Sequence, residues 1–183
     1  MDPQAAIGKD DDTTRNNDSI TTTSTSVDVG SSTDFREGTG RRVEVHGRPI
    51  AVFRHESKLY ALDHYCYHAG GPLSDARDIE DLYLPNNKKK KKGNEATHHP
   101  CIICPWHKYK ISLATGEGLY LHSDPFAAAP TAPQIKSRGR KQRTHKIWED
   151  KEGRVYVVVD TDETKKYDSD YYASEDFQLR MKR

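Results

Sequence analysis

The sequence predicts an all-β protein. Three observations carry this: short apolar runs with period-two alternation, turn residues placed between those runs, and few stretches with the 3.6-residue periodicity of a long helix. At 183 residues the chain suits one domain with extensions, because domains commonly run to roughly 100 to 150 residues. Hydrophobic residues make up 33% and charged residues 31% of the chain, and the mean hydropathy is −0.95. Such a composition cannot bury every segment, so the core must come from a subset and part of the chain is expected to be unfolded.

Residues 1–34 contain the run TTTSTS and almost nothing apolar. Ordering them would cost backbone entropy without burial in return, so they are expected to form a disordered tail. From Arg42 the pattern changes. Val43 and Val45 alternate with polar neighbours, Gly47 marks a turn, and Ile50, Val52 and Phe53 lie in a second strand that ends at Glu56 and Ser57. Leu59 to Leu62 make a third strand. Asp78 to Leu84 has no clear assignment. Residues 85–98 read as an insertion, since the five lysines Lys88 to Lys92 repel one another and present no apolar face.

Ile111 and Leu113, a turn at Thr115 to Gly118, then Leu119 and Leu121 read as a hairpin. Pro125 to Pro133 is a loop by composition. Thr144 to Trp148, the turn Asp150 to Gly153, and Val155 to Val159 form a terminal hairpin that closes the base of the fold. The domain therefore spans residues 35–162. Residues 163–183 are expected to be a charged tail, with a short docking helix as the alternative.

The net charge of +1 and the even mixture of signs give no global argument for nucleic acid or an anionic membrane. The aromatic residues lack the pattern of a stacking platform, so no nucleic-acid partner is expected. The basic stretch KSRGRKQRTHK, Lys136 to Lys146, could dock an acidic partner or serve as a nuclear localisation signal; a solvated face is the simpler reading. No apolar run approaches the ~18 residues of a membrane span, and the Asp-rich start argues against an Arg-rich organelle presequence. A cytoplasmic protein without membrane contact is expected.

Cysteine and histidine placement carries the chemistry. Three cysteines, Cys66, Cys101 and Cys104, lack the spacing of a disulfide framework, which favours a reducing compartment and metal chemistry. Cys66 and His68 share one loop; Cys104 and His107 share another. Two thiolates and two imidazoles suit either a structural zinc or an iron-sulfur centre. Zinc pairs commonly place two like ligands in one loop, whereas here each loop gives one Cys and one His. That mixture suits a dinuclear centre. Cys101 forms C-x2-C with Cys104 but has no histidine three residues on, so a buried thiol is the expected role and a redox sensor the alternative. His98 and His99 read as surface residues beside the lysine run, and His64 as structural or exposed.

The stretches CYHAGGPL and CPWHKYKI, followed by TGEG, resemble the Rieske 2Fe-2S family, whose pattern is C-x-H followed by C-x2-H. The resemblance covers roughly residues 40 to 160 and is closest to the small stand-alone Rieske domain-containing proteins, the Rieske-type ferredoxins. It implies a β-sandwich-like base with an inserted cluster-binding subdomain, about residues 63–124, formed by two ligand loops. It also implies one 2Fe-2S cluster, with Cys66 and Cys104 on one iron and His68 and His107 on the other. The function implied is that of a one-electron carrier rather than an enzyme, working between a reductase and an oxygenase or similar acceptor. A zinc- or cluster-stabilised interaction or redox-sensing module is the alternative.

The lysine-rich segment lengthens the usual spacing between the loops, at a closure cost that grows only logarithmically with length. The resemblance also bears on the potential. Two ferric ions, two sulfides and two thiolates sum to zero charge, which places the class at about −150 to +300 mV. High-potential members carry an extra cysteine in each loop, forming a disulfide. Here those positions hold Gly71 and Trp106, and the Ser/Tyr hydroxyl pair falls on Tyr109 and Ile111, so the lower end is implied. Gly70 and Gly71 would let backbone N–H groups aim at sulfur, while Pro72, Leu73, Pro105 and Trp106 would shield the centre.

Overall fold

The computed structural model describes residues 25–84, 97–123, 126 and 134–181. It is built from two antiparallel sheets. The first contains β1 (Val27–Ser31), β2 (Gly40–Val45), β3 (Arg48–His55), β4 (Lys58–Asp63), β10 (Thr144–Glu149) and β11 (Arg154–Val158), in the order β1-β11-β10-β4-β3-β2. The second contains β5 (Ile79–Leu84), β6 (Thr97–Ile103), β7 (Lys110–Ser112), β8 (Glu117–His122) and β9 (Gln134–Arg140), in chain order. Two short helices follow, α1 (Ser169–Ala173) and α2 (Glu175–Met181). The all-β class holds.

Local turn chemistry sets the registers. Val45 pairs with Arg48 across His46-Gly47, and His55 pairs with Lys58 across Glu56-Ser57. All four turn residues have positive φ, at 50°, 75°, 49° and 63°. That is the backbone twist a two-residue hairpin loop needs to match the twist of its strands. Strand β3, between β4 and β2, is buried on both faces, and its period of two divides it between two cores. Ile50 and Val52 join Phe35, Val45, Ala61, Val155 and Val157 on one side. Ala51 and Phe53 join Leu62, Leu73, Ile102, Ile111 and Leu113 on the other, and this second core also contains Cys66 and Cys104. The first sheet is thus anchored on one face, and its other face carries the sulfurs.

Several segments differ from the expectation. The tail expected over residues 1–34 is ordered from Val27: β1 pairs with β11, Val27 opposite Val157, and Ser31 caps a 3-10 turn over Ser32–Asp34. Residues 1–24 lie outside the described residues. Asp78 to Leu84 ends in strand β5. The lysine insertion, residues 85–98, falls outside the described residues up to 96, and Thr97 and His98 already belong to β6. The loop expected at Pro125 to Pro133 also lies outside them except for Phe126. The basic stretch Lys136 to Lys146 is not one solvated face, because Lys136 to Arg140 form the exposed strand β9 while Gln142, Arg143 and His145 are buried.

The charged C-terminal segment, expected over residues 163–183 and described to 181, is held by polar contacts rather than left as a tail. Asp63, wholly buried at the end of β4, accepts from Arg48 Nε and Nη2 at 2.6 and 2.7 Å, from Ser169 Oγ at 2.6 Å, and from His145 Nε2 at 3.1 Å. His145 Nδ1 accepts from the Asp160 backbone N–H, which leaves Nε2 as the donor. Burial pushes the Asp63 carboxyl up, yet the hydrogen bonds from His145 and Arg48 outweigh it and hold the group below its ordinary value. Asp170, on α1, accepts from Arg48 and from both Nε and Nη2 of Arg143 at 2.7, 2.7 and 2.8 Å.

Burial of Asp170 is likewise outweighed, by Arg143, the Tyr167 backbone N–H and Arg48, so its carboxyl is pulled down to about 2. A carboxyl lowered on folding stabilises the native state above its unfolded pKa, and that stabilisation is lost as the pH falls through the folded one. Asp170→Asn should therefore cost about 2 kcal/mol at pH 7, read by urea unfolding. The deficit should shrink as the pH falls from about 4 towards 2.

Candidate metal centre

The two ligand loops adopt the same backbone design. In the first, which follows β4, the Cys66 N–H donates to the Gly71 carbonyl at 2.8 Å and the Gly70 N–H to the Cys66 carbonyl at 2.9 Å. In the second, between β6 and β7, the Cys104 N–H donates to the Tyr109 carbonyl at 2.9 Å and the Lys108 N–H to the Cys104 carbonyl at 3.0 Å. The fourth residue after each cysteine is left-handed, Gly70 at φ 75° and Lys108 at φ 58°. This tight wrap turns backbone N–H groups onto each sulfur, from His68 and Ala69 onto Cys66 and from Trp106 and His107 onto Cys104. Such donors favour negative charge on sulfur.

Cys66 and Cys104 are each 1% exposed, and their sulfurs are close enough to interact. That interaction raises the Cys66 thiol and lowers Cys104, since the proton kept on one sulfur stabilises negative charge on the other. His68 and His107 lie outside this pair and are exposed. Their rings meet edge to face with centroids 4.9 Å apart, and His68 stacks on Tyr109 at 4.0 Å. Among the described residues no ring nitrogen of either histidine has a hydrogen-bond partner. The four residues singled out by spacing are brought together, two sulfurs beneath and two imidazoles above. This donor set fits a dinuclear iron-sulfur centre with sulfur on one side and nitrogen on the other.

Cys101 is not part of it. It is fully buried on β6, its Sγ contacts the His99 carbonyl at 3.3 Å, and burial pushes its thiol up to about 12. A thiol held so firmly protonated is a poor redox sensor. His64 is also buried, and desolvation lowers it to about 4, so it is structural and neutral. Around the sulfurs, Leu73 is buried while Trp106 is 48% exposed. The shield is therefore one-sided. A Cβ on Gly71 would stand 2.8 Å from Cys104 Sγ and 3.2 Å from Trp106 Cγ, so Gly71 and Trp106 face each other.

Some contributing residues carried little signal in the sequence. Gln142, within the basic stretch, accepts from the Tyr67 N–H and donates Nε2 to the Asp63 and Tyr65 carbonyls, each at 2.9 Å, which fixes the first loop from behind. Tyr172 on α1 donates its hydroxyl to the His68 carbonyl at 2.9 Å. Phe177 on α2 meets Tyr65 edge to face at 5.3 Å and closes over Gly70, leaving no room for a Cβ there. The aromatic residues scattered through a polar C-terminal stretch were the available clue.

Gly71→Ala should lower the iron content of purified protein by more than half while leaving the far-ultraviolet dichroism of the sheets intact. Lys108→Gly should stabilise the fold by a net ~0.5 kcal/mol in chemical unfolding, because relief of the left-handed strain exceeds the added backbone entropy of glycine.

Residues 27–162 match the family described as soluble Rieske-type ferredoxin. A Rieske domain-containing protein of Homo sapiens is 42% identical over 155 residues, covering 84% of this chain and 87% of its own length. The ferredoxin component of a naphthalene 1,2-dioxygenase system from Pseudomonas putida is 29% identical over 104 residues, covering 57% and 74% respectively. Among solved structures, a chain in an oxygenase-ferredoxin complex of carbazole 1,9a-dioxygenase superposes with a TM-score of 0.50 at 23% identity, over 76% of this chain and 30% of that one. At that identity the likeness concerns the fold. With the family match spanning both ligand loops and every strand of the two sheets, the chain belongs to the soluble Rieske-type ferredoxins.

Proposed function

We propose that the protein is a one-electron carrier that holds one 2Fe-2S cluster on Cys66, Cys104, His68 and His107. It would accept electrons from a reductase and deliver them to an oxygenase or similar acceptor. One observation carries this reading: two matching loops bury a pair of sulfurs under backbone N–H donors and leave a pair of imidazoles at the surface. When bound, the cluster supplies a one-electron couple, at a potential above that of all-cysteine centres because two thiolates are replaced by neutral ligands.

The chain's own residues then divide the work. Cys66 and Cys104 anchor the centre to the core shared by the two sheets, which restricts its movement when charge changes. The N–H groups of His68, Ala69, Trp106 and His107 stabilise sulfur charge without titrating. Leu73 and Trp106 limit water on the loop side. The exposed edges of His68 and His107 are the electron exit towards a partner protein. A carrier of this kind binds no substrate of its own. Three free cysteines, with Cys101 inert, suit a reducing compartment such as the cytoplasm. Among the described residues no helix is long and apolar enough to cross a membrane.

Iron and acid-labile sulfide should both be recovered from the purified chain in equal amounts, two of each per cluster. Zinc recovered without iron or labile sulfide would instead overturn the cluster reading. His107→Cys supplies a second measurement. It replaces a neutral ligand by a thiolate, so a variant that retains its cluster should show a lower midpoint potential. An unchanged potential would remove His107 from the ligand set.

A further inference from the structure

A second group of metal-type donors lies away from the cysteine loops. His55 ends β3, Glu56 stands in the following turn, and Asp81 and His98 lie on the neighbouring strands β5 and β6. One donor atom from each residue lies within 4.8 Å of all the others. We propose that His55, Asp81 and His98, with Glu56 as fourth donor, form a second site for a divalent ion of the zinc type, clamping the first sheet to the second.

The geometry favours an ion over an ordinary ion pair. His55 Nε2 and His98 Nε2 converge on one oxygen, Asp81 Oδ1, at 3.0 and 2.8 Å. With metal-ligand bonds of about 2.0 Å, the edge of a tetrahedron is roughly 3.3 Å, so these three atoms need only open slightly to admit an ion. The far nitrogen of His55 also faces a carboxylate outside the donor set, Nδ1 to Glu37 Oε1 at 3.8 Å. A carboxylate behind a metal-bound imidazole orients the ring and raises its basicity. Glu37 is itself fixed, since its carboxylate accepts from the backbone N–H groups of Glu56 and Ser57.

Charge points the same way. Glu37, Glu56 and Asp81 surround two imidazoles, and among the described residues no lysine or arginine pairs with any of the three carboxylates. Two nitrogens with carboxylate oxygens suit zinc better than magnesium or calcium, which prefer oxygen alone. A metal takes imidazole only in its neutral form, so zinc and protons compete for the two rings. The site shares no residue with the cysteine loops.

Equilibrium dialysis of the cluster-loaded full chain against micromolar zinc sulfate, followed by elemental analysis, tests the assignment. One zinc per chain should be gained with the iron content unchanged. His98→Gln and Asp81→Asn should each weaken zinc uptake at least about tenfold while the visible spectrum of the cluster is preserved. Glu56→Gln, at an exposed turn position, provides a variant without risk to the core and should also weaken uptake. Zinc uptake identical in all three variants would overturn the proposal, as would zinc gained only in step with iron lost, which would place it on the cysteine loops.

Discussion

The structure depends on one buried carboxylate. Asp63 sits where β4 gives way to the first ligand loop, and it gathers Arg48 from β3, His145 from β10 and Ser169 from the C-terminal segment. A carboxylate wholly out of water is tolerable only when its acceptor positions are filled by well-placed donors, and here four hydrogen bonds reach it. Its own backbone carbonyl accepts from Gln142, whose other amide atom holds Tyr67. The strand end, the loop entrance and the C-terminal helices are therefore fixed by one polar knot, and the position of Cys66 follows from it.

Above that knot the fold separates two requirements. The sulfurs of Cys66 and Cys104 are kept dry in the core between the sheets, with backbone N–H groups aimed at them. The imidazoles of His68 and His107 are kept accessible at the loop tips. The loops achieve both with one backbone pattern used twice, in which a left-handed residue four positions after the cysteine turns the chain back on itself. Gly70 makes this turn where Phe177 leaves no space for a side chain. Lys108 makes it with strain, on a loop whose corresponding position is exposed.

What the sequence made legible was the part organised by apolar burial. The β-rich run of Ile50, Val52 and Phe53, the valines of β11 and the Cys/His spacing each carry a pattern or a motif. Strands β1 and β9 have no such signature. β1 offers only Val27 and Val29 among polar residues and gains its order by pairing with β11, while β9 is a charged, exposed strand supported by β8. The C-terminal helices escaped for a different reason. Ser169 and Asp170 hold them through charge and hydrogen bonds to residues more than a hundred positions away in Asp63 and Arg48, and composition carries no trace of such partners. Gln142 was hidden in the same way, by lying in a basic run that opens with the exposed strand β9.

The C-terminal helices also give the ligand face a handedness. They lie against the first loop, with Phe177 over Gly70 and Tyr172 on the His68 carbonyl, and they present Tyr171 outward at 61% exposure. The second loop is bordered differently, by strands β8 and β9, whose Leu119, Tyr120, Leu121 and Arg138 line a pocket with His107. The two imidazoles therefore stand between unlike walls, an aromatic one of helix beside His68 and a mixed polar one of sheet beside His107.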